Sequence, residues 1–82
     1  MKRDFILASV SKRHAEAAVV QQVLTENGCV IRTRLGLHDA GADRCSDNGV
    51  IFLELVGAAA AKKKLIKALS AVKGVEVKTV SF

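Results

Sequence analysis

Residues 38–49, HDAGADRCSDNG, hold a histidine, three aspartates and a cysteine. His38, Asp39, Asp43, Cys45 and Asp47 are all residue types that ligate metal, and His38 beside the aspartates offers an acid–base pair. Neither chemistry has its spacing. The segment contains no C-x-x-C, no H-x-x-x-H and no D-x-D-x-D-G, the patterns that aim several ligands at one ion. Cys45 with His38 would pair a nucleophile with a base, but no third group orients that base. Arg44 is the one cation fixed beside Cys45 in sequence. Gly41, Asn48 and Gly49 are turn residues, and Asp and Asn favour turns by bonding their own backbone. The stretch reads as a solvated hairpin loop, with a metal-binding sensor using the 38–48 loop as the alternative. No catalytic residue, metal or cofactor is assigned.

The elements around that loop follow from hydrophobic period. DFILASV (4–10) is dense enough in apolar residues for a strand buried on both faces. Ser11 offers an N-cap oxygen to a helix over 12–27, whose stripe is Val19, Val20, Val23 and Leu24. Gly28 stops it as a left-handed cap would. CVIRTRLGL (29–37) alternates as a strand, with Cys29 opening it on the core side. VIFLELV (50–56) is apolar almost throughout and so central. Residues 57–73 are helical, with Leu65, Ile66, Leu69 and Val72 on one stripe and Gly74 ending it. VEVKTVSF (75–82) alternates again. The order β-α-β-β-α-β implies an α+β, ferredoxin-like sandwich: a four-stranded antiparallel sheet with both helices on one face. Residues 1–82 form a single domain.

Two helices cover one face only. The covered side is expected to take Phe5, Leu7, Leu35, Ile51, Leu53, Leu55, Val75 and Val77. The other side then collects Ile6, Ala8, Val10, Arg32, Arg34, His38, Val50, Phe52, Glu54, Val56, Lys78, Val80 and Phe82. That face is too apolar for water, and an apolar patch with a charged rim marks a binding surface. A chain of 82 residues also has a marginal core, and oligomerisation is a common remedy. The expected partner is another copy, a dimer or tetramer joined through the open sheet face or strand edges.

Composition narrows the rest. The net charge is +5, from 13 Lys and Arg against 8 Asp and Glu. Lys62, Lys63, Lys64 and Lys67 share one helix and read as a solvated face. An RNA-recognition sheet stacks bases on several aromatics. Here Phe52 stands at one stacking position, but Val50 and Leu55 occupy the other two, with Asn48 where a basic residue belongs. Direct nucleic-acid binding is therefore not expected. Two cysteines make no disulfide framework, no apolar run is long enough for a membrane span, and the run at 5–10 is too short for a secretory leader. The chain is expected to be cytoplasmic and not bound to membrane.

TRLGL, NGVIFLELV and VKGVEVKTVSF together resemble the iron-only hydrogenase system regulators. These are small ferredoxin-like proteins similar to ACT domains and to the C-terminal domain of nickel-responsive regulators. The resemblance covers essentially the whole chain. Its most specific pieces are Arg34-Leu35-Gly36, Lys73-Gly74-Val75 and Val77-Lys78-Thr79. It implies a cytoplasmic, oligomeric, ligand-sensing regulator without catalysis. Nickel-responsive regulators bind metal through several histidines and a cysteine, whereas this chain has only His14 and His38. The second helix also departs from the family pattern: it starts from Gly57 and four alanines in place of a polar cap. An ACT-like ligand site at a subunit interface would lie near Arg34, Gly36 and the turn at Ser11. Arg32 and Arg34 could grip a carboxylate or phosphate, with Glu54 as a salt-bridge partner for either, from the same chain or a second subunit. His38 and Phe52 complete the candidate set. A protein- or RNA-binding module of the same fold is the alternative.

Overall fold

A computed structural model describes residues 3–11, 13–40 and 45–82, with side chains described except at 13–17, 37–40 and 45–48. The elements run β1 (Asp4–Val10), α1 (Arg13–Glu26), a 3-10 turn (Gly28–Val30), β2 (Ile31–Ala40), β3 (Cys45–Leu55), α2 (Ala59–Ser70) and β4 (Val75–Ser81). The sheet order is β2-β3-β1-β4, antiparallel at every contact. The expected βαββαβ architecture holds, with β3 central as its composition requires.

The core is one aliphatic cluster between sheet and helices. Ile6, Ala8 and Val10 of β1 and Leu53 and Leu55 of β3 meet Val20 and Leu24 of α1 and Leu65 and Leu69 of α2. Both helices use the i, i+4 spacing that stacks side chains on one face. Val19, expected on the stripe, is exposed.

The face assignment was right for β3 and β4 and inverted for β1 and much of β2. In an antiparallel ladder, directly opposed residues share a face. Phe5 pairs with Glu54, Leu7 with Phe52 and Ser9 with Val50, while Ile6 pairs with Leu53. Ile6, Ala8 and Val10 therefore line the core, and Phe5 and Leu7 face outward. In β1 both parities are apolar, so alternation carried no signal. In β2 the cause is a bulge. Ile31 pairs with Leu55 and Thr33 with Glu54, its next neighbour. Arg32 is the extra residue, and an extra residue shifts the alternation by one. Ile31 points to the core, Arg34 also lies on the helix side, and Leu35 faces out.

Local ends differ too. Gly28 takes no left-handed conformation; α1 ends where the Asn27 side-chain amide donates to the Val23 carbonyl at 2.8 Å. Cys29 sits in the 3-10 turn and is exposed, so it is no core residue. The Ser11 hydroxyl, expected at the N-cap of α1, donates to the Gly74 carbonyl at 3.0 Å, beside a backbone bond between the same residues. Residues 38–40 and 45–49 extend β2 and β3, which pair at His38 with Gly49 and, past an irregularity, at Ala40 with Cys45. Beyond the row of Val10 and Gly49, where β1 ends, this hairpin has two strands only.

Gly57 (φ +97°) turns the chain from β3 into α2, and Gly74 (φ +82°) turns it into β4. A Cβ on Gly57 would have room, with Val30 Cγ1 3.6 Å away, so the constraint there is the backbone angle. Gly57→Ala is predicted to cost about 1–2 kcal/mol through that angle. Gly36→Ala, with open space around it, is predicted to be neutral or stabilising by up to about 1 kcal/mol. Urea unfolding of the two variants checks this; equal stabilities would contradict it.

Candidate functional site

The uncovered face of the sheet is the most distinctive surface. Its middle is apolar and open: Leu35 is 52% exposed and Phe52 39%, with Leu7 and Val50 half-buried beside them. Val80 and Phe82 extend it along β4. The apolar open face expected from the sequence is present, with Phe5, Leu7 and Leu35 in place of Ile6, Ala8 and Val10.

One end of this face is fastened by charge and rings. Arg3 donates from Nε to Glu54 Oε2 at 3.0 Å, and its Nη2 lies 2.9 Å from the same oxygen. The Arg3 guanidinium carbon lies 5.3 Å from the Phe5 ring centroid, and the Phe5 and Phe82 rings meet edge to face at 5.9 Å. Within one chain Glu54 therefore pairs with Arg3, in place of the expected Arg32 or Arg34. The pair is unequal: the Glu54 side chain is 10% exposed and Arg3 53%. At the other end, a depression of about 250 Å³ lies among Leu7, Ser9, Val50, Glu76 and Lys78. Glu76 and Lys78 approach to 3.8 Å in full solvent, where such a pair contributes little.

The helix side holds the other polar contacts. Arg34 donates from Nη2 to Gln21 Oε1 of α1. Lys62 Nζ donates to Asp4 Oδ2 at 2.7 Å, and Ser81 Oγ donates to Asp4 Oδ1 at 2.6 Å. Lys62 thus leaves the solvated lysine face, its side chain 19% exposed.

The candidate residues fall into separate places. Phe52 and Glu54 share the open face. Arg32 stands exposed at the bulge. Arg34 and Gly36 lie in the rows of Ile6 and Ala8, on the edge strand. Ser11 lies beyond the end of β1, two strands across. From strand spacings, Ser11 is roughly 14 Å from Gly36 and roughly 19 Å from Arg34, so within one chain the three do not converge. His38 pairs through its backbone with Gly49; its side chain, and those of Asp39, Cys45, Asp47 and His14, lie outside the described residues, as do Asp43 and Arg44. Among the described residues no group of three His, Cys, Asp or Glu could hold a metal ion. Sequence reasoning missed Arg3, Asp4, Lys62 and Ser81. The available signal was their position: charged or hydroxyl residues at the ends of otherwise apolar strands.

No protein-family model and no curated protein sequence matches the chain. Solved structures do. The uncharacterized protein TM1266 from Thermotoga maritima superposes with a TM-score of 0.78 at 28% identity, covering all of this chain and 99% of that one. A dimeric ferredoxin-like protein from an uncultured marine organism matches with 0.51 at 11% identity, over 99% and 92%. The fold is ferredoxin-like. CPII, a nitrogen regulatory PII-like protein from Thiomonas intermedia K12 bound to ADP, AMP and bicarbonate, shares it with a TM-score of 0.62 at 11% identity, over 100% and 93%. Among the described residues, no helix of this ferredoxin-like chain is long and apolar enough to cross a membrane.

The unequal Arg3–Glu54 pair makes a directional prediction. Arg3→Ala leaves a nine-tenths-buried carboxylate without this partner and should cost about 1–3 kcal/mol. Adding Glu54→Leu should recover most of that loss, because removing both partners leaves no orphaned charge. Urea unfolding of the single and double variants decides it. A double variant less stable than Arg3→Ala would contradict the assignment.

Proposed function

We propose that the chain is a small, non-catalytic regulatory domain of the cytoplasm that senses a small ligand and works as an oligomer of identical chains. The observation that carries the reading is the open apolar sheet face. Phe52, Leu35, Leu7 and Val80 lie one on each of the four strands, with no described element above them. A second copy laid face to face about 10 Å away would bury them as in a sandwich. The strand edges are less suited: β2 carries Arg32 and Arg34 and β4 carries Glu76 and Lys78, charges of the kind that discourage edge pairing. A dimer or a tetramer fits this geometry, and a ligand at such an interface could reach residues that one chain keeps apart.

What supports regulation is likeness. The PII-like and dimeric ferredoxin-like neighbours are regulatory or oligomeric by name, and TM1266 aligns over the whole chain. The finer reading, a regulator of an iron-only hydrogenase system, rests on the sequence resemblance at Arg34-Leu35-Gly36 and along β4. On that reading any effect on transcription passes through a partner, without direct nucleic-acid binding. The exposed thiol of Cys29 suits a reducing compartment.

Light scattering after size-exclusion chromatography tests the oligomer. The unmodified chain should run as a dimer or larger, and Phe52→Lys should weaken association at least about tenfold, or about 1.4 kcal/mol. A monomer at high concentration, or no response to Phe52→Lys, would sink the interface. A thermal-shift screen of amino acids, nucleotides and divalent metals tests sensing. Stabilisation by metal alone would favour the 38–48 loop, and no stabilisation would leave an interaction module.

A further inference from the structure

A cavity of about 180 Å³ opens on the helix side of the sheet, between the first turns of α2 and the ends of β1 and β4. We propose that it binds a small branched or aromatic monocarboxylate lacking an amino group, such as a 2-oxo acid. This rests on the ligand-sensing reading and names its ligand class. Leu55, Ala59 and Ile66 supply an apolar wall. The volume suits one compact hydrocarbon group, since an apolar cavity of roughly 150 Å³ takes up benzene.

The charges select the head group. Asp4 lines the cavity, but its two oxygens already accept from Lys62 and Ser81. Lys63 also lines it and is exposed, and the first turn of α2 carries no acidic residue. A ligand carboxylate therefore has the exposed Lys63 within the lining as its counter-charge. A ligand ammonium meets two cations, Lys62 and Lys63, against the single carboxylate of Asp4, which Lys62 already neutralises. The site accordingly favours an anion and disfavours an amine.

Three probes share one isobutyl group and differ only in the head: ketoisocaproate, leucine and isoamylamine. Titrated into the full chain and followed by amide chemical shifts, ketoisocaproate should move Asp4, Ala59, Lys63 and Thr79. Leucine and isoamylamine should bind at least about tenfold more weakly. Lys63→Gln, at an exposed position, should weaken ketoisocaproate by a similar factor, and Ala59→Leu should block the cavity while leaving the core in place. Equal binding of all three probes, shifts centred elsewhere, or no binding at millimolar concentration would overturn the proposal. Running the titration on Phe52→Lys as well separates the two readings. Binding there supports the cavity whatever light scattering says of the oligomer, and loss of the oligomer alone leaves the cavity standing.

Discussion

β1 and β3 are apolar on both faces, and the chain has helices for only one. Ile6, Ala8, Val10, Leu53 and Leu55 face inward to α1 and α2, while Phe5, Leu7, Val50 and Phe52 face outward. A two-layer domain is a stable solution for a sheet with one apolar face. Here the second face is nearly as apolar as the first, so the two layers solve half the problem. With only ten buried hydrophobic residues among those described, the remaining apolar surface is a large fraction of what the fold could still remove from water. Association through that face is the simplest way to complete a third layer.

The polar fasteners converge on β1. Arg3 ties the start of that strand to β3 through Glu54, Asp4 ties it to α2 and β4 through Lys62 and Ser81, and Ser11 ties its end to Gly74. Each joins residues more than fifty positions apart in sequence. Local propensity cannot supply such contacts. They set where the first strand lies between its two neighbours, while the aliphatic core supplies most of the stabilisation.

How much of this was legible follows from the same distinction. Element order, the α2 stripe, the α1 stripe apart from Val19, and the core faces of β3 and β4 are written in local periodicity and were readable. The face of β1 was not, because alternation is silent when both parities are apolar. The face of β2 was misread because the bulge at Arg32 is a backbone event, visible only in the pairing of Ile31 and Thr33 with consecutive residues of β3. The same holds for the hairpin: His38–Ala40 and Cys45–Asn48 are too polar to read as strand, yet they extend β2 and β3, which pair again at Ala40 and Cys45. Of the candidate site residues, Phe52 and Glu54 were placed on the right face. Arg34 was placed on the wrong face with the rest of β2, and Ser11 bonds to Gly74, a neighbour distant in the chain.

The first residues of β1 connect the two surfaces that matter. Arg3 and Phe5 belong to the fastened end of the open face, and Asp4 between them belongs to the cavity wall on the other side. A strand alternates sides at each residue, so any shift of backbone at Asp4 is shared with both neighbours. If occupancy of the cavity alters how Asp4 is held by Lys62 and Ser81, the change reaches Arg3–Glu54 and the Phe5–Phe82 contact within one peptide unit. Linkage then makes the effect symmetrical: the factor by which assembly alters ligand affinity equals the factor by which ligand alters assembly. If the cavity binds its ligand and the open face assembles as proposed, coupling needs no long pathway, because the two surfaces meet along one strand.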